Sequence, residues 1–111
     1  MSPSPEYQWD SWNIDHIARH GISPAEAEQV IENDPYDLDV QIINGEVRTP
    51  HLGETNAGRI VIVIAQWIEE ERKIRVATAF EPTKSLGKEY LAWKGTRHGT
   101  DARHPQVPKS R

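Results

Sequence analysis

The segment Arg59–Trp67 reads RIVIVIAQW, and its central residues Ile60–Ala65 form the longest apolar run in the chain. Most of this run is Ile or Val, whose branched side chains fit the pleated surface of a strand. Because polar residues do not alternate with apolar ones, both faces of the strand are expected to be covered. The segment therefore predicts a central strand, and the rest of the chain must supply its neighbours.

Three further strands are predicted around this one. Lys73–Phe80 follows a polar turn, with Ile74, Val76 and Thr78 expected on one face. Upstream, Leu38–Ile43 and Glu46–Leu52 flank Asn44-Gly45, a dipeptide that favours the type I′ turn of a hairpin. Pro50 lacks a backbone N–H, which favours an edge position or an early end for the second of these strands. Sequential strands of this kind predict an antiparallel four-stranded sheet.

Helix signals stand on either side of the predicted sheet. Asp10 or Ser11 can cap a helix that runs to about His20, and Gly21 suits its end. Ser23-Pro24-Ala25-Glu26 is a capping box with proline at the first helical position, and predicts a second helix to about Asn33. Pro82-Thr83 opens a last helix to about Trp93. The fold class is therefore α+β, with two N-terminal helices, the sheet and a C-terminal helix.

Length and composition limit the organisation and the compartment. The 111 residues fit a single domain, expected at 9–94, between a flexible N-terminus at 1–8 and a disordered polar tail at 95–111. The chain has no cysteine, so it needs no oxidising compartment. The first residues do not resemble a signal peptide, and no apolar run approaches the roughly 20 residues of a membrane helix. We therefore expect a cytoplasmic protein without a membrane partner.

Charge is divided unequally along the chain. Residues 1–58 hold 11 acidic and 2 basic residues, whereas residues 59–111 hold 6 acidic and 11 basic residues, for a net charge of −4. A phosphate backbone would be attracted to the second half and repelled by the first. The same division also arises when acids simply lie on a solvated helix, so charge alone does not identify a ligand.

Several short motifs together resemble the BrnT family of toxins. The similarity covers roughly residues 7–90, and the order and spacing of the motifs carry it more than any single motif does. The matching residues are Tyr7, Trp9-Asp10, Asn13-Ile14, His16-Ile17, Arg19–Ser23, Glu26-Ala27, Asp34-Pro35, Gly45-Glu46, Arg48, Gly53, Thr55, Ala57–Arg59, Ile74–Val76, Thr78-Ala79 and Glu89-Tyr90.

The resemblance implies a RelE-like fold and a role in a type II toxin–antitoxin system. Such toxins cleave RNA without a metal or cofactor, and a DNA-binding antitoxin protein silences them. The implied assembly is a homodimer or a hetero-oligomer with the antitoxin. Family members typically carry arginine at the end of the last strand, where this chain has Phe80, and a more basic start to the last helix, where it has Lys84 and Lys88. This departure leaves a second hypothesis open, a non-catalytic scaffold that binds a protein.

Metal-free RNA cleavage needs a base for the 2′-hydroxyl, cations around the phosphorus and an acid for the leaving oxygen. His20 is the candidate acid or base, because histidine titrates near neutral pH. Arg19, Arg59 and Arg75 are candidate phosphate ligands, since a guanidinium holds two oxygens at once, and Lys84 could add a charge at a helix start.

Each of these candidates also has a structural interpretation. His20 could interact only with the end of its helix. Arg59 could simply begin a strand after Gly58, and Arg75 could lie on the exposed face of its strand. His16, one turn before His20, would suit a two-histidine metal pair, although no third ligand is evident. Trp12 could pack at the rim of the core or stack on RNA bases.

Overall fold

The computed structural model describes residues 5–98. Within these residues, three helices and six strands follow one another in the order β1 Tyr7–Gln8, α1 Ser11–Ala18, α2 Pro24–Glu32, β2 Tyr36–Asp37, β3 Gln41–Ile43, β4 Glu46–Glu54, β5 Ile60–Ile68, β6 Lys73–Phe80 and α3 Lys84–His98. The α+β class is confirmed. The sheet is larger than predicted and mixed, because β1 pairs in parallel with β6.

The starts of the first two helices follow the capping signals closely, whereas α1 ends at Ala18, two residues before the predicted end. Asp10 caps α1 and Ser23 caps α2, each in a reciprocal capping box with the residue at the third helical position. Gly21 adopts a φ of 75° after α1, a backbone conformation that costs glycine little. None of the helices among residues 5–98 is long and apolar enough to cross a membrane.

The long central strand is confirmed as β5, which lies between β6 and β4 in the order β1-β6-β5-β4-β2, with β3 also pairing with β4. Its alternate side chains enter two cores on opposite faces of the sheet. On one face Val61 and Val63 pack with Ile17 and Val30 of α1 and α2. On the other face Ile62 packs with Leu52 and with Tyr90 of α3. The sheet is thus covered by α1 and α2 on one side and by α3 on the other.

Neither expectation for Pro50 is correct, because β4 continues to Glu54 and pairs with β5 on one side and with β2 and β3 on the other. The predicted strand Leu38–Ile43 is also broken. Tyr36 aligns with Leu52, but Gln41 aligns with Arg48, a register one residue out of step. The Pro50 carbonyl accepts a bond from the Leu38 N–H at 2.9 Å, and no N–H is present to return it. Pro50, which has no N–H to donate, therefore lies between the part of β4 that pairs with β2 and the part that pairs with β3.

A bulge in β6 corrects the predicted faces of that strand. Ala65 aligns with Val76 and Ile64 with Thr78, which leaves Ala77 as an extra residue. Val76 therefore enters the core beneath α1 and α2, whereas Thr78 lies on the opposite face. The single face expected for Ile74, Val76 and Thr78 is wrong because the extra residue shifts the alternation.

Two elements of the structure extend into the segments that were predicted to lie outside the domain. Tyr7–Gln8 is a strand, although residues 1–8 were expected to be flexible. Helix α3 runs through His98, although a disordered tail was expected from residue 95. The remainder of both predicted segments, 1–4 and 99–111, lies outside the described residues.

Candidate functional site

Helix α1 is fixed against the edge of β6 by a buried side chain, Asn13. Strand β1 pairs with β6 only at Ile74 and Arg75, so the β6 edge beyond them needs another partner. The Asn13 amide donates to the Val76 carbonyl and to the Gln8 carbonyl, both at 3.1 Å, and the residue is fully buried. This contact determines which side of α1 turns away from the core.

An aromatic stripe, defined here as Trp12, His16, His20 and Phe80, runs from the outward side of α1 to the end of β6. Trp12 and His16 are four residues apart on α1 and share one helix face, and His20 follows in the turn after the helix. Trp12 and His16 stack with their ring centroids 5.0 Å apart, and His20 meets His16 edge-on at 5.9 Å. His20 also meets Phe80, the last residue of β6, at 6.2 Å. The stripe thus joins α1 to the end of the sheet.

Beside the stripe lies a groove of about 500 Å³, here the polar groove, on the face of the sheet that carries α3. Its walls include Trp12 and His16 from α1. Its floor includes Arg48 from β4, Gln66 from β5 and Arg75 from β6, three side chains presented by adjacent strands. The bulge adds Thr78 to this surface. Cationic, amide, hydroxyl and imidazole groups therefore face one cavity.

The two arginines of the polar groove each use part of their hydrogen-bonding capacity within the protein. Arg75 donates from Nη1 to Asp10 at 2.9 Å and to Gln8 at 3.2 Å. Arg48 donates from Nη2 to Glu46 at 2.9 Å. A guanidinium has five N–H donors, so both side chains retain donors for an anion. The Nε atom of Arg48 is buried and has no hydrogen-bond partner among the described residues.

The hydrogen bond from Arg75 and that from the Asn13 backbone lower the pKa of Asp10. Asp10 is therefore ionised at neutral pH and orients the guanidinium of Arg75. The local charge of the groove is balanced between two arginines and the carboxylates of Asp10 and Glu46, so an anion would have to bind to directed N–H groups rather than to excess charge.

The structure brings some of the predicted site residues together and separates others. Arg75 lines the polar groove, and the exposed His20 continues its aromatic wall toward Phe80. Arg19 is exposed at the end of α1 and Lys84 is exposed at the start of α3, and neither lines the groove.

Arg59 connects three segments of the fold instead. Its guanidinium donates to Glu81 at 2.9 Å, to the Gly21 carbonyl at 2.8 Å and to Glu26 at 3.3 Å. Hydrogen bonds to Glu81 and Glu26 raise its pKa, so it is permanently charged and paired. This geometry favours the structural interpretation of Arg59 over binding of phosphate.

Sequence reasoning missed Arg48 and Gln66, considered His16 only as a metal ligand, and offered base stacking as one of two roles for Trp12. Arg48 was visible only as part of the Gly45-Glu46-x-Arg48 motif, and Gln66 only as the polar residue at the end of an apolar run. Their convergence depends on strand register, which short motifs do not reveal.

The site holds no evident metal-binding cluster within the described residues. No group of three His, Asp or Glu side chains within residues 5–98 is arranged to hold a metal ion, so the His16–His20 pair has no third ligand there. The chain matches no protein-family model and no curated protein significantly.

Proposed function

We propose that this protein is a metal-independent endoribonuclease that binds single-stranded RNA in the polar groove, acting as the toxin of a type II toxin–antitoxin system. The observation that carries the proposed chemistry is the placement of Arg48 and Arg75 on the floor of one groove with His16 in its wall and His20 next in line. The toxin role and an antitoxin partner rest on the resemblance of residues 7–90 to BrnT toxins.

The proposed reaction uses the 2′-hydroxyl of RNA as the nucleophile. One histidine takes the 2′-hydroxyl proton while that oxygen attacks the adjacent phosphorus, and the bond from phosphorus to the 5′-oxygen breaks. The other histidine supplies a proton to the departing 5′-oxygen, leaving a 2′,3′-cyclic phosphate and a free 5′-hydroxyl. His16 and His20 are the candidates, because their ring centroids lie 5.9 Å apart, His16 on α1 and His20 in the turn that follows it.

The remaining groove residues would hold the substrate. The free N–H groups of Arg48 and Arg75 suit the two non-bridging phosphate oxygens, whose charge increases in the transition state. Trp12 is 60% exposed and stacks on His16 through one face, which leaves surface for a base. Such stacking contributes about 1–3 kcal/mol per base and requires an unpaired strand. The substrate class is therefore single-stranded RNA.

The test uses purified protein and an end-labelled RNA oligonucleotide in buffer with EDTA. We expect cleavage with a 2′,3′-cyclic phosphate product, lost by at least about 100-fold in His20→Ala or His16→Ala. His51→Ala is the matched control, because His51 lies on β4 with its side chain in a different cavity. Intact RNA with folded wild-type protein, or equal losses in all three histidine variants, would refute the proposal.

A second candidate is a non-catalytic scaffold that binds a protein, and Phe80 favours it. Phe80 packs into the core beneath α3 and meets His20 edge-on, so an apolar ring occupies the position beside His20 where BrnT toxins typically carry arginine. Under this candidate the wild-type protein binds no RNA and does not arrest growth when expressed alone in bacteria. Growth arrest that disappears in His20→Ala would instead favour the toxin.

A further inference from the structure

A second cavity of about 500 Å³ lies at the same end of the sheet but on the opposite face. This groove, here the apolar groove, is lined mainly by apolar side chains together with three polar ones: Ile31 of α2, Val47, Thr49 and His51 of β4, Ala65, Gln66 and Trp67 of β5, and Ile74 of β6. Val47 is 55% exposed and Trp67 is 48% exposed. Exposed apolar side chains gathered in one concavity are typical of a surface that another molecule covers.

Strand geometry separates the apolar groove from the polar groove. Val47 alternates along β4 with Arg48, and Ile74 alternates along β6 with Arg75, so successive side chains point to opposite faces. Gln66 of β5 borders both grooves. The two surfaces therefore share a stretch of sheet but present different chemistry on its two sides. A ligand on the apolar groove would leave the Arg48–Arg75 floor open.

Four carboxylates lie close to the apolar groove, and each accepts a hydrogen bond from an aromatic side chain. Asp37 and Glu69 bond to His51 and Trp67, which line the groove. Glu28 and Glu32 lie on either side of Ile31 in the sequence of α2. The donors hold the four carboxylates in place beside the groove. The pairs are Glu32 with the Tyr7 hydroxyl at 3.0 Å, Glu28 with Trp9 Nε1 at 2.8 Å, Asp37 with His51 Nδ1 at 2.7 Å and Glu69 with Trp67 Nε1 at 2.8 Å.

This rim is negative despite two nearby basic residues. Arg72 lies 5.7 Å from the Trp67 ring centre and pairs with Glu69 at 3.5 Å, and Lys73 precedes Ile74. Burial, the hydrogen bond to Glu32 and the charges of Glu32 and Glu28 raise the pKa of Tyr7. A carboxylate that accepts one hydrogen bond has lone pairs left for a second donor. The rim can therefore bind cations presented by a partner.

We propose that the apolar groove binds an amphipathic segment of a partner protein, with apolar side chains in the groove and Lys or Arg side chains on the four carboxylates. Charge complementarity selects this occupant over a second copy of the chain. In a twofold dimer centred on the groove, each rim would meet the same acidic rim, and like charges across an interface oppose association. The proposal does not depend on RNA cleavage.

The test measures binding of two synthetic amphipathic peptides to the full-length protein. Both carry Leu on one face; one carries Lys on the other face and its matched control carries Glu. We expect the Lys peptide to bind at least about tenfold more tightly, with affinity that falls as salt is added. Amide shifts in NMR spectra should map to the residues of the apolar groove and its rim.

Variants locate the site and separate it from the proposed function. Val47→Ser with Trp67→Ser should weaken binding of the Lys peptide at least about tenfold, as should the charge reversal Glu28→Lys with Glu32→Lys. Leu91→Ser is the control, because Leu91 is equally exposed but lies on α3. The Val47 and Trp67 variant should leave RNA cleavage unchanged, so either proposal can fail without the other.

Three outcomes would overturn the inference. The first is equal binding of the Lys and Glu peptides, and the second is amide shifts that lie outside the apolar groove. The third is a concentration-dependent dimer in analytical ultracentrifugation that Val47→Ser abolishes, because it would assign the groove to a second copy.

Discussion

Phe80 belongs both to the aromatic stripe and to the core beneath α3. Its ring closes the aromatic stripe at His20 and also packs with the cluster beneath α3. An arginine at this position would place a cation next to His20. The apolar ring therefore contributes to stability at a position where a charge would serve phosphate chemistry.

We predict that Phe80→Arg increases the rate of RNA cleavage at least about tenfold, because a directed cation stabilises charge that develops on the phosphate. The same change should lower the free energy of unfolding by about 1–3 kcal/mol, since a partly buried apolar side chain is lost. Initial rates and urea denaturation measure the two effects. Phe80→Leu is the control, and an equal rate in both variants would contradict the role assigned to charge.

Arg59 has the opposite character, because its charge is used inside the protein. Arg59→Met keeps the aliphatic stem but removes the bonds to Gly21, Glu26 and Glu81. We expect the free energy of unfolding to fall by about 1–2 kcal/mol, a modest loss because the group is partly exposed. Cleavage well below the melting temperature should match wild type. A cleavage defect without loss of stability would instead make Arg59 a substrate ligand.

The pKa values of Glu26 and Asp10 predict how stability depends on pH. Bonds from Ser23 and Arg59 lower the pKa of Glu26, and bonds from Arg75 and Asn13 lower that of Asp10. Each lowered pKa stabilises the folded protein when the pH lies above the ordinary pKa of the carboxyl group, 4.5 for Glu26 and 3.8 for Asp10. This stabilisation is lost as the pH falls through the lower pKa of the folded state. Denaturation should therefore become easier with acidity below about pH 4.5. A pH series with Glu26→Gln, which should flatten the curve, checks this expectation.

At the scale of elements, α1 depends on a single polar side chain for its attachment to β6. Asn13→Ala would leave the Val76 carbonyl without its side-chain donor and would break the capping box with Asp10. We expect the free energy of unfolding to fall by about 2–3 kcal/mol, because buried polar groups lose their partners. Chemical denaturation followed by circular dichroism measures the loss.

Asn13→Asp tests the reason for that loss. It preserves the size and the acceptor of Asn13 but removes the amide donor and places a carboxylate near two carbonyls. It should be at least as destabilising as alanine. Wild-type stability in Asn13→Asp would show that the amide bonds to Gln8 and Val76 contribute little.

Elements that depend on local signals were predictable from the sequence. A capping residue at Asp10 or Ser11 and the capping box at Ser23 predicted the starts of two helices, and the apolar run at Ile60–Ala65 predicted the central strand. Strand β1 was not predictable, because two residues pair with a strand that is distant in sequence. The bulge at Ala77 was also hidden, because it is defined by the register against β5.

The candidate site was only partly predictable for the same physical reason. His20 and Arg75 were identified as single residues with suitable chemistry. Their partners Arg48 and Gln66 join Arg75 through the alignment of three strands, and no local pattern encodes that alignment. Arg59 was chosen for its charge, but the carboxylates that pair with it come from α2 and from the end of β6.

At the scale of the whole molecule, the sheet separates two kinds of surface. The arginine floor of the polar groove lies on one face, and the acid-rimmed apolar groove lies on the other. The acidic first half of the sequence supplies Glu28, Glu32 and Asp37 to the apolar rim, yet it also supplies Arg48 to the polar groove. The position of each residue in the folded sheet, rather than the net charge of its half of the sequence, therefore determines which groove offers cations to an anion.

This arrangement predicts a weak dependence of RNA binding on salt. Two arginines contact phosphate in the proposed complex, and each phosphate contact with a single strand contributes about 0.7 to the slope of log affinity against log salt. We therefore expect a slope of about −1.4, measured with a non-cleavable 2′-O-methyl oligonucleotide. Arg48→Gln and Arg75→Gln should each reduce its magnitude by about 0.7, whereas Arg72→Gln, in the exposed turn before β6, should leave it unchanged. A wild-type slope steeper than about −3 would require a wider basic surface than the polar groove provides, and would place RNA elsewhere on the molecule.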